Sequence, residues 1–283
     1  MAHEYDHERQ HVLNHKYDCL LFDLDDTLYP VNSGIAAHCT KNIQDYMINQ
    51  LGIEESKVLD MCYVLYTYYG TTMAGLRAIG YNFDHDHFHS LVHGRLPYDL
   101  LKPDLGLRNL LLRLPFRRVV FTNADKRHAS EVLKRLGLED CFESIICFET
   151  LNSSNNGEDD DMNSLNGSFT IFNITDYQPS SGVTLPATPI LCKPFELAFE
   201  RAFKIADIDP GRTLFFDDSV RNVTTAKRLG LHTVLVGKPE SSNAADYALE
   251  SVHDIREAFP ELLEEEEEML ENGKYSQEML LQA

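Results

Sequence analysis

The chain has 283 residues, of which 43% are hydrophobic, 25% charged and 10% aromatic. That suits one large domain, or one domain with a smaller one inserted, and it excludes a wholly disordered chain and a disulfide miniprotein. The formal net charge of −20 is unevenly placed: residues 151–190 carry five acids and no Lys or Arg, and residues 238–283 carry thirteen acids against three bases. The remainder is near balance, so the acidity belongs to a loop and a tail. It speaks against nucleic acid or a membrane surface as partner, but not against a small anionic substrate in a local pocket. No apolar run approaches the roughly 20 residues that cross a bilayer. The first seventeen residues carry five charged side chains, and no signal peptide is visible. The six cysteines form no C-x-x-C pair and read as reduced core thiols, so the expected location is cytoplasmic.

In chain order, residues 1–16 read as an N-terminal extension. Near-continuous apolar runs follow at Tyr17–Asp23, Arg117–Asn123, Ser144–Phe148, Arg212–Asp217 and His232–Gly237. Runs without polar alternation suit strands buried on both faces of a parallel sheet. Helical spacing is read over Asp125–Gly137, Pro194–Ile205 and Ser219–Gly230, with Asp125 and Ser219 as capping residues and Pro194 in a first turn. Strand–helix alternation predicts an α/β, Rossmann-like, doubly wound parallel sheet, in which ligands bind beyond the carboxyl ends of the strands.

The first two strands lie almost a hundred residues apart, far more than one crossover needs, so residues 33–100 read as an inserted helical unit. Its helices are expected over Lys41–Leu51, Ser56–Tyr69 and Thr72–Ile79, the second with Leu59, Cys62, Leu65, Tyr66 and Tyr69 facing a core. His85, His87 and His89 alternate in what reads as a polar loop joining cap helices. Residues 17–32 and 101–260 then make the core. Residues 151–190, rich in Asn, Ser, Asp and Gly, read as a mobile acidic insertion. The tail at 261–283 contains the acidic run Glu264–Glu268.

Chemistry-bearing residues stand where strands end. The first strand runs into Asp23, Asp25 and Thr27; the second ends in Thr122 and Asn123; Lys193 precedes a helix; the fourth ends in Asp217 and Asp218. Each alone has an ordinary explanation as a cap or a solvated side chain. Four in this order do not. A dianionic phosphate repels an attacking carboxylate. A Mg²⁺ ion, which favours hard oxygen ligands, removes that repulsion. A second carboxyl group can move the protons, and Lys and Thr donors can hold phosphoryl oxygens.

In FDLDDTLY, FTN, LCKP and FFDDS the sequence resembles the haloacid dehalogenase (HAD) superfamily over about residues 17–150 and 190–250. The resemblance implies a HAD core with a helical cap at 33–100, Mg²⁺ as cofactor, and catalytic Asp23, Asp25, Thr122 and Lys193. Asp23 is implied as nucleophile and Asp25 as general acid–base, with an aspartyl-phosphate intermediate. Asp23, Asp217, Asp218 and the backbone carbonyl of Asp25 are the implied metal ligands. An Asp at position 25 goes with phosphatases and phosphomutases rather than dehalogenases. Asn123, Thr27 and Asn222 are implied at the substrate, Asn222 with Ser219 also as a support of the acidic pair.

YGTTMAGLRAIG and HGRLPY resemble the pyrimidine 5′-nucleotidase-like subgroup of plants and fungi. They put Thr71, Thr72, Arg77 and Arg95 forward as substrate-binding residues. The expected function is Mg²⁺-dependent hydrolysis of a small phosphomonoester, a nucleoside 5′-monophosphate first. Another small phosphate ester (sugar phosphate, pyridoxal phosphate or lysophosphatidate), a phosphomutase, and a regulatory scaffold acting through the acidic tail are the alternatives. A homo-oligomer stays open.

Overall fold

The computed structural model describes residues 16–153, 171–175, 177, 183–237 and 243–263. Its centre is a six-stranded, all-parallel sheet in the order β3-β2-β1-β4-β5-β6. The strands are β1 Cys19–Phe22, β2 Arg117–Phe121, β3 Ser144–Ile146, β4 Thr213–Asp217, β5 His232–Val236 and β6 Tyr247–Leu249. β1 lies in the middle, with Cys19 level with Arg117 on one side and Thr213 on the other. That register brings Asp23, Thr122 and Asp217 out at the same edge.

Both faces of the sheet are buried, which is why its strands read as unbroken apolar runs. On one face Leu20, Phe22, Val120, Leu214, Phe216 and Val234 pack with helices α5 (Leu105–Arg113) and α6 (Lys126–Leu136). The stacked rings of Phe22 and Phe216, 4.5 Å apart, tie β1 to β4 there. On the other face Leu21, Val119, Phe121, Phe215 and Leu235 meet α8 (Glu196–Ala206) and α9 (Val220–Arg228). Short α7 (Phe148–Leu151) follows β3, and α10 (Ile255–Ala258) follows β6.

Between β1 and β2 stand α1 (Ile35–Asn49), α2 (Glu55–Tyr69), α3 (Thr72–Ala78) and α4 (His85–Val92), with a core of their own around Met47, Cys62, Leu65, Leu76 and Phe88. They cover the carboxyl ends of the strands. Among the described residues no helix is long and apolar enough to cross a membrane.

Several sequence expectations need correction. The His85–His89 stretch is helix α4, not a loop: the Asp84 side chain accepts the His87 N–H and starts it. On α2 the buried arc is Val58, Met61, Cys62, Leu65 and Tyr69, while Leu59 and Tyr66 are 69% and 49% exposed. A stripe at helical spacing covers more than one face, and those two lie on its outer margin. α8 begins after Phe195, so Pro194 precedes the helix, and Ser219 makes no side-chain cap on α9. α5 and β6 were not anticipated.

The insertion is not wholly a surface loop. Phe172 donates its N–H to Ile79 O, Thr188 donates to Ala74 O, and Ile174 and Ile190 are buried against the α2–α3 layer. Apolar residues near its carboxyl end were outweighed by the Asn, Ser and Asp of its first half, of which residues 154–170 lie outside the described residues. Nor does the acidic tail begin cleanly at 261, because Leu262 and Leu263 pack into the core beside Phe259. The Glu264–Glu268 run and residues 1–15 lie outside the described residues.

Gly70 closes α2 with φ +81, and a Cβ there would stand 2.3 Å from Lys193 O and 2.8 Å from Pro194 Cδ. Backbone meets backbone at that point, so the contact cannot relax by a rotamer change. Gly70→Ala is expected to cost about 1–3 kcal/mol from a clash added to left-handed strain. Gly52→Ala, with φ +66 and nothing within 4 Å, is expected to show the strain alone. Urea midpoints of the two variants compare them.

Candidate active site

Lys193 is the centre of the site. Its side chain is fully buried between the rings of Phe121 and Phe215, with Nζ 5.0 and 5.5 Å from their centroids. All three ammonium protons are used: on Asp23 Oδ1 at 2.6 Å, Phe121 O at 2.7 Å and Asp217 Oδ2 at 2.8 Å. Burial alone would lower its pKa, but Asp217 and Asp23 outweigh it and hold the lysine charged. Asp23 is pushed well up, first by burial and then, against Lys193, by Asp217, Asp218 and Asp25. Burial and then Asp217 push Asp218 up to about 7.

Carboxylate oxygens of Asp23, Asp217 and Asp218 lie within 4.8 Å of one another. Three acids against one ammonium leave an excess of negative charge in a buried, all-oxygen cluster. A hard divalent cation fits that donor set. The Asp25 carboxylate is not in it.

Asp25 looks the other way. Its Oδ1 accepts from Tyr29 Oη at 2.5 Å and lies 2.7 Å from His128 Nε2. Burial works against ionisation, yet His128 and Tyr29 outweigh it and bring Asp25 down to about 2. Burial would lower His128, and the Asp25 charge raises it instead. Each partner favours the charged form of the other, two residues beyond Asp23 in the chain.

Three residues put forward at the substrate also bond to other residues of the site, Asn222 in the supporting place expected of it. Asn123 spends its amide on the Lys193 backbone, Nδ2 to O at 3.0 Å and Oδ1 from N at 2.8 Å. Thr27 Oγ1 donates to Asp23 Oδ2 at 3.3 Å. Asn222 Nδ2 bonds both oxygens of Asp217, at 2.9 and 3.0 Å, and the Ser219 N–H joins Oδ1 at 2.8 Å. Buried Thr122 accepts the Ala124 N–H at 3.0 Å, leaving its hydroxyl proton for another partner.

A cleft of about 570 Å³ opens from these residues under the helical layer. Asp25, Asn123 and Asn222 form its floor, and Thr71, Thr72 and Tyr66 stand on its wall. Arg77 and Arg95 do not line it, which corrects their assignment. Arg77 bonds Asn82 and Tyr81 O, beside the Phe83 ring, and Arg95 is exposed. Spacing alone could not say which way they face. The cation on the wall is Arg221, unremarked in the sequence. It donates to Tyr66 O and Thr67 O at 2.8 Å and stacks 4.3 Å over the Tyr66 ring. His128 was also missed, and its only sequence signal is its place three residues into α6 behind the Asp125 cap.

The Asp25–His128 pair fixes a pH dependence. Asp25 is depressed on folding, so its stabilisation is present above the ordinary 3.8 and lost as pH falls toward about 2. His128 is raised, so its stabilisation is complete below the ordinary 6.5 and lost as pH climbs through its folded value. The Tm difference between the native chain and His128→Gln is therefore expected to be greatest between pH 3.8 and 6.5. It should shrink on both sides, and thermal melts across pH read it directly.

No protein-family model matches the chain. A 132-residue stretch is 29% identical to "Phosphate metabolism protein 8" of Saccharomyces cerevisiae, covering 44% of this chain and 41% of that protein. The matched stretch thus spans less than half the length of the curated relative. Among solved structures, a HAD phosphatase from Thermococcus onnurineus superposes with a TM-score of 0.50 at 18% identity, over 85% of this chain and 97% of that one. A HAD-hydrolase, YfnB, from Bacillus subtilis, described as bound to magnesium, gives 0.51 at 17% identity, over 87% and 99%. Sheet order, helical layer and these superpositions agree: the chain has the fold of the haloacid dehalogenase superfamily.

Proposed function

We propose that the protein is a Mg²⁺-dependent phosphatase for a small phosphomonoester, most specifically a nucleoside 5′-monophosphate. One observation carries the reading: the buried Lys193–Asp23–Asp217 cluster is held by Asn123 and Asn222, which line the same cleft as Asp25, a second carboxyl group paired to its own histidine. Asp23, Asp217 and Asp218 would hold the Mg²⁺. When bound, it supplies the positive charge that lets a carboxylate approach a dianionic phosphoryl group.

The side chains do the rest. Lys193 and Thr27 fix the two oxygens of Asp23, which attacks phosphorus as the ester P–O bond breaks. The arriving dianion raises the proton affinity of Asp25. The proton of the His128–Asp25 pair then passes through Asp25 to the leaving oxygen. In the second half a water attacks the phosphorus of the aspartyl phosphate, Asp25 takes its proton, and Asp23 is released. Thr122 donates to a phosphoryl oxygen. Lys193 must give up one of its present partners to do the same.

A cleft of about 570 Å³ suits a substrate of nucleotide size. Leu59, Tyr63 and Tyr66 line it while remaining exposed, which offers flat apolar surface to a base. The yeast relative's name supports phosphate chemistry in general, and the magnesium of the Bacillus structure supports the ion.

Phosphate release from purine and pyrimidine monophosphates, sugar phosphates, pyridoxal phosphate and lysophosphatidate, with Mg²⁺, tests the proposal. Turnover is expected to be highest on a nucleotide, to vanish with EDTA, and to fall by roughly 10³ or more in Asp23→Asn. Turnover confined to the other esters would keep the mechanism and overturn the nucleotide assignment. Near-native activity of Asp23→Asn would overturn the mechanism.

A further inference from the structure

On the wall of the cleft, and apart from the acidic cluster, lies a second group of metal-ligating atoms. His89, in α4, and His93, the residue that caps its carboxyl end, are four residues apart, and Asp125 caps α6 opposite them. His89 Nδ1, His93 Nδ1 and Asp125 Oδ2 come within 4.8 Å of one another. His89 Nδ1 stands 3.4 Å from Asp125 Oδ2, the separation of two ligands on one tetrahedral zinc at about 2.1 Å from each. His93 Nδ1 is in direct contact with the same oxygen.

His89 gives a second, independent sign. It is 8% exposed, and both of its ring nitrogens are buried without a hydrogen-bond partner. A buried imidazole with two orphaned nitrogens calls for a reason. Its neighbours are arranged for ligation. The His89 and His93 rings lie nearly parallel, 5.4 Å apart, and the Phe148 ring meets His89 edge-on at 4.8 Å. Asp125 Oδ1 accepts the His128 N–H at 3.0 Å, which orients the carboxylate and leaves Oδ2 toward the histidines. Burial, then His93, brings His89 down to about 4, and the histidines hold Asp125 below the usual carboxylate range although burial opposes it. A neutral imidazole and an ionised carboxylate are the forms that bind a metal. A second cavity, lined by Asp86, His89, His93, Asp125 and Glu149, gives the group contact with the outside.

We propose that His89, His93 and Asp125 form a binding site for a borderline divalent cation of the zinc class, distinct from the oxygen-only site of Asp23, Asp217 and Asp218. Two imidazoles and one carboxylate are a nitrogen-rich donor set that prefers Zn²⁺ over Mg²⁺. On binding, His93 carries its proton on Nε2 so that Nδ1 is free for the metal. The ion would join α4 of the helical layer to the start of α6 beneath the sheet's edge, one residue pair away from His128 and Asp25.

The site is tested on the full chain in excess Mg²⁺, added to compete for the acidic cluster, with Zn²⁺ and Co²⁺ as probes and no turnover needed. The proposal thus stands or falls independently of the phosphatase reading. Native protein is expected to bind one Zn²⁺ per chain and to gain several degrees in Tm. His89→Phe keeps an aromatic ring between Phe88 and Phe148 and breaks no hydrogen bond. It is expected to bind Zn²⁺ at least tenfold more weakly and to lose the Tm gain. Co²⁺ on the native protein is expected to give the visible bands of a four- or five-coordinate site with nitrogen ligands. Equal Zn²⁺ affinity in the two proteins would overturn the proposal. So would no Zn²⁺ uptake by the native chain in Mg²⁺, or a Co²⁺ spectrum of octahedral, oxygen-only type.

Discussion

A positive charge without water organises this molecule. Lys193 is sealed between two phenylalanine rings and spends every proton on oxygen atoms of β1's end, β2 and β4. Removing one partner from such a group leaves an uncompensated buried charge, which costs about 3–5 kcal/mol. The sheet's central strands therefore hold their register partly through one side chain. Asn123 extends the arrangement by gripping the backbone of Lys193 at both N–H and C=O, so the loop bearing the lysine is clamped to the end of β2.

Asp23 and Asp25, two residues apart, are given opposite environments. Asp23 faces the lysine and two further carboxylates, and its proton affinity rises. Asp25 faces a histidine and a tyrosine, and its proton affinity falls. Asp26, with φ +60, turns the chain immediately after them. The two carboxyl groups thus differ by surroundings rather than by residue type.

Much of this was legible in the sequence, for a physical reason. Parallel strands buried on both faces leave unbroken apolar runs, and a polar residue directly after such a run stands at the edge where ligands bind. Asp23, Thr122 and Asp217 could be placed that way. The helical layer was harder. Arg77 and Arg95 carry the right chemistry but turn from the cleft, while Arg221 enters it from a helix whose sequence looked merely amphipathic. Leu59 and Tyr66 read as core because an apolar stripe does not say where its edge lies. In DHDHFHSLVH the eye finds alternation at His85, His87 and His89. The spacing that matters in a helix is four; it links His85, His89 and His93, of which the latter two meet Asp125.

The segment after β3 changes how the helical layer is attached. Had it been only a loop, the four helices would hang from the core by the two chain crossings that flank them. Instead Phe172, Pro186 and Thr188 are bonded to Ile79, Tyr69 and Ala74. The layer is thus moored by a third line, from a distant part of the chain. Any swing of α2 and α3 off the sheet must drag that line along or unfasten it. Substitutions in residues 171–190 can therefore act on the width of the cleft without touching anything inside it.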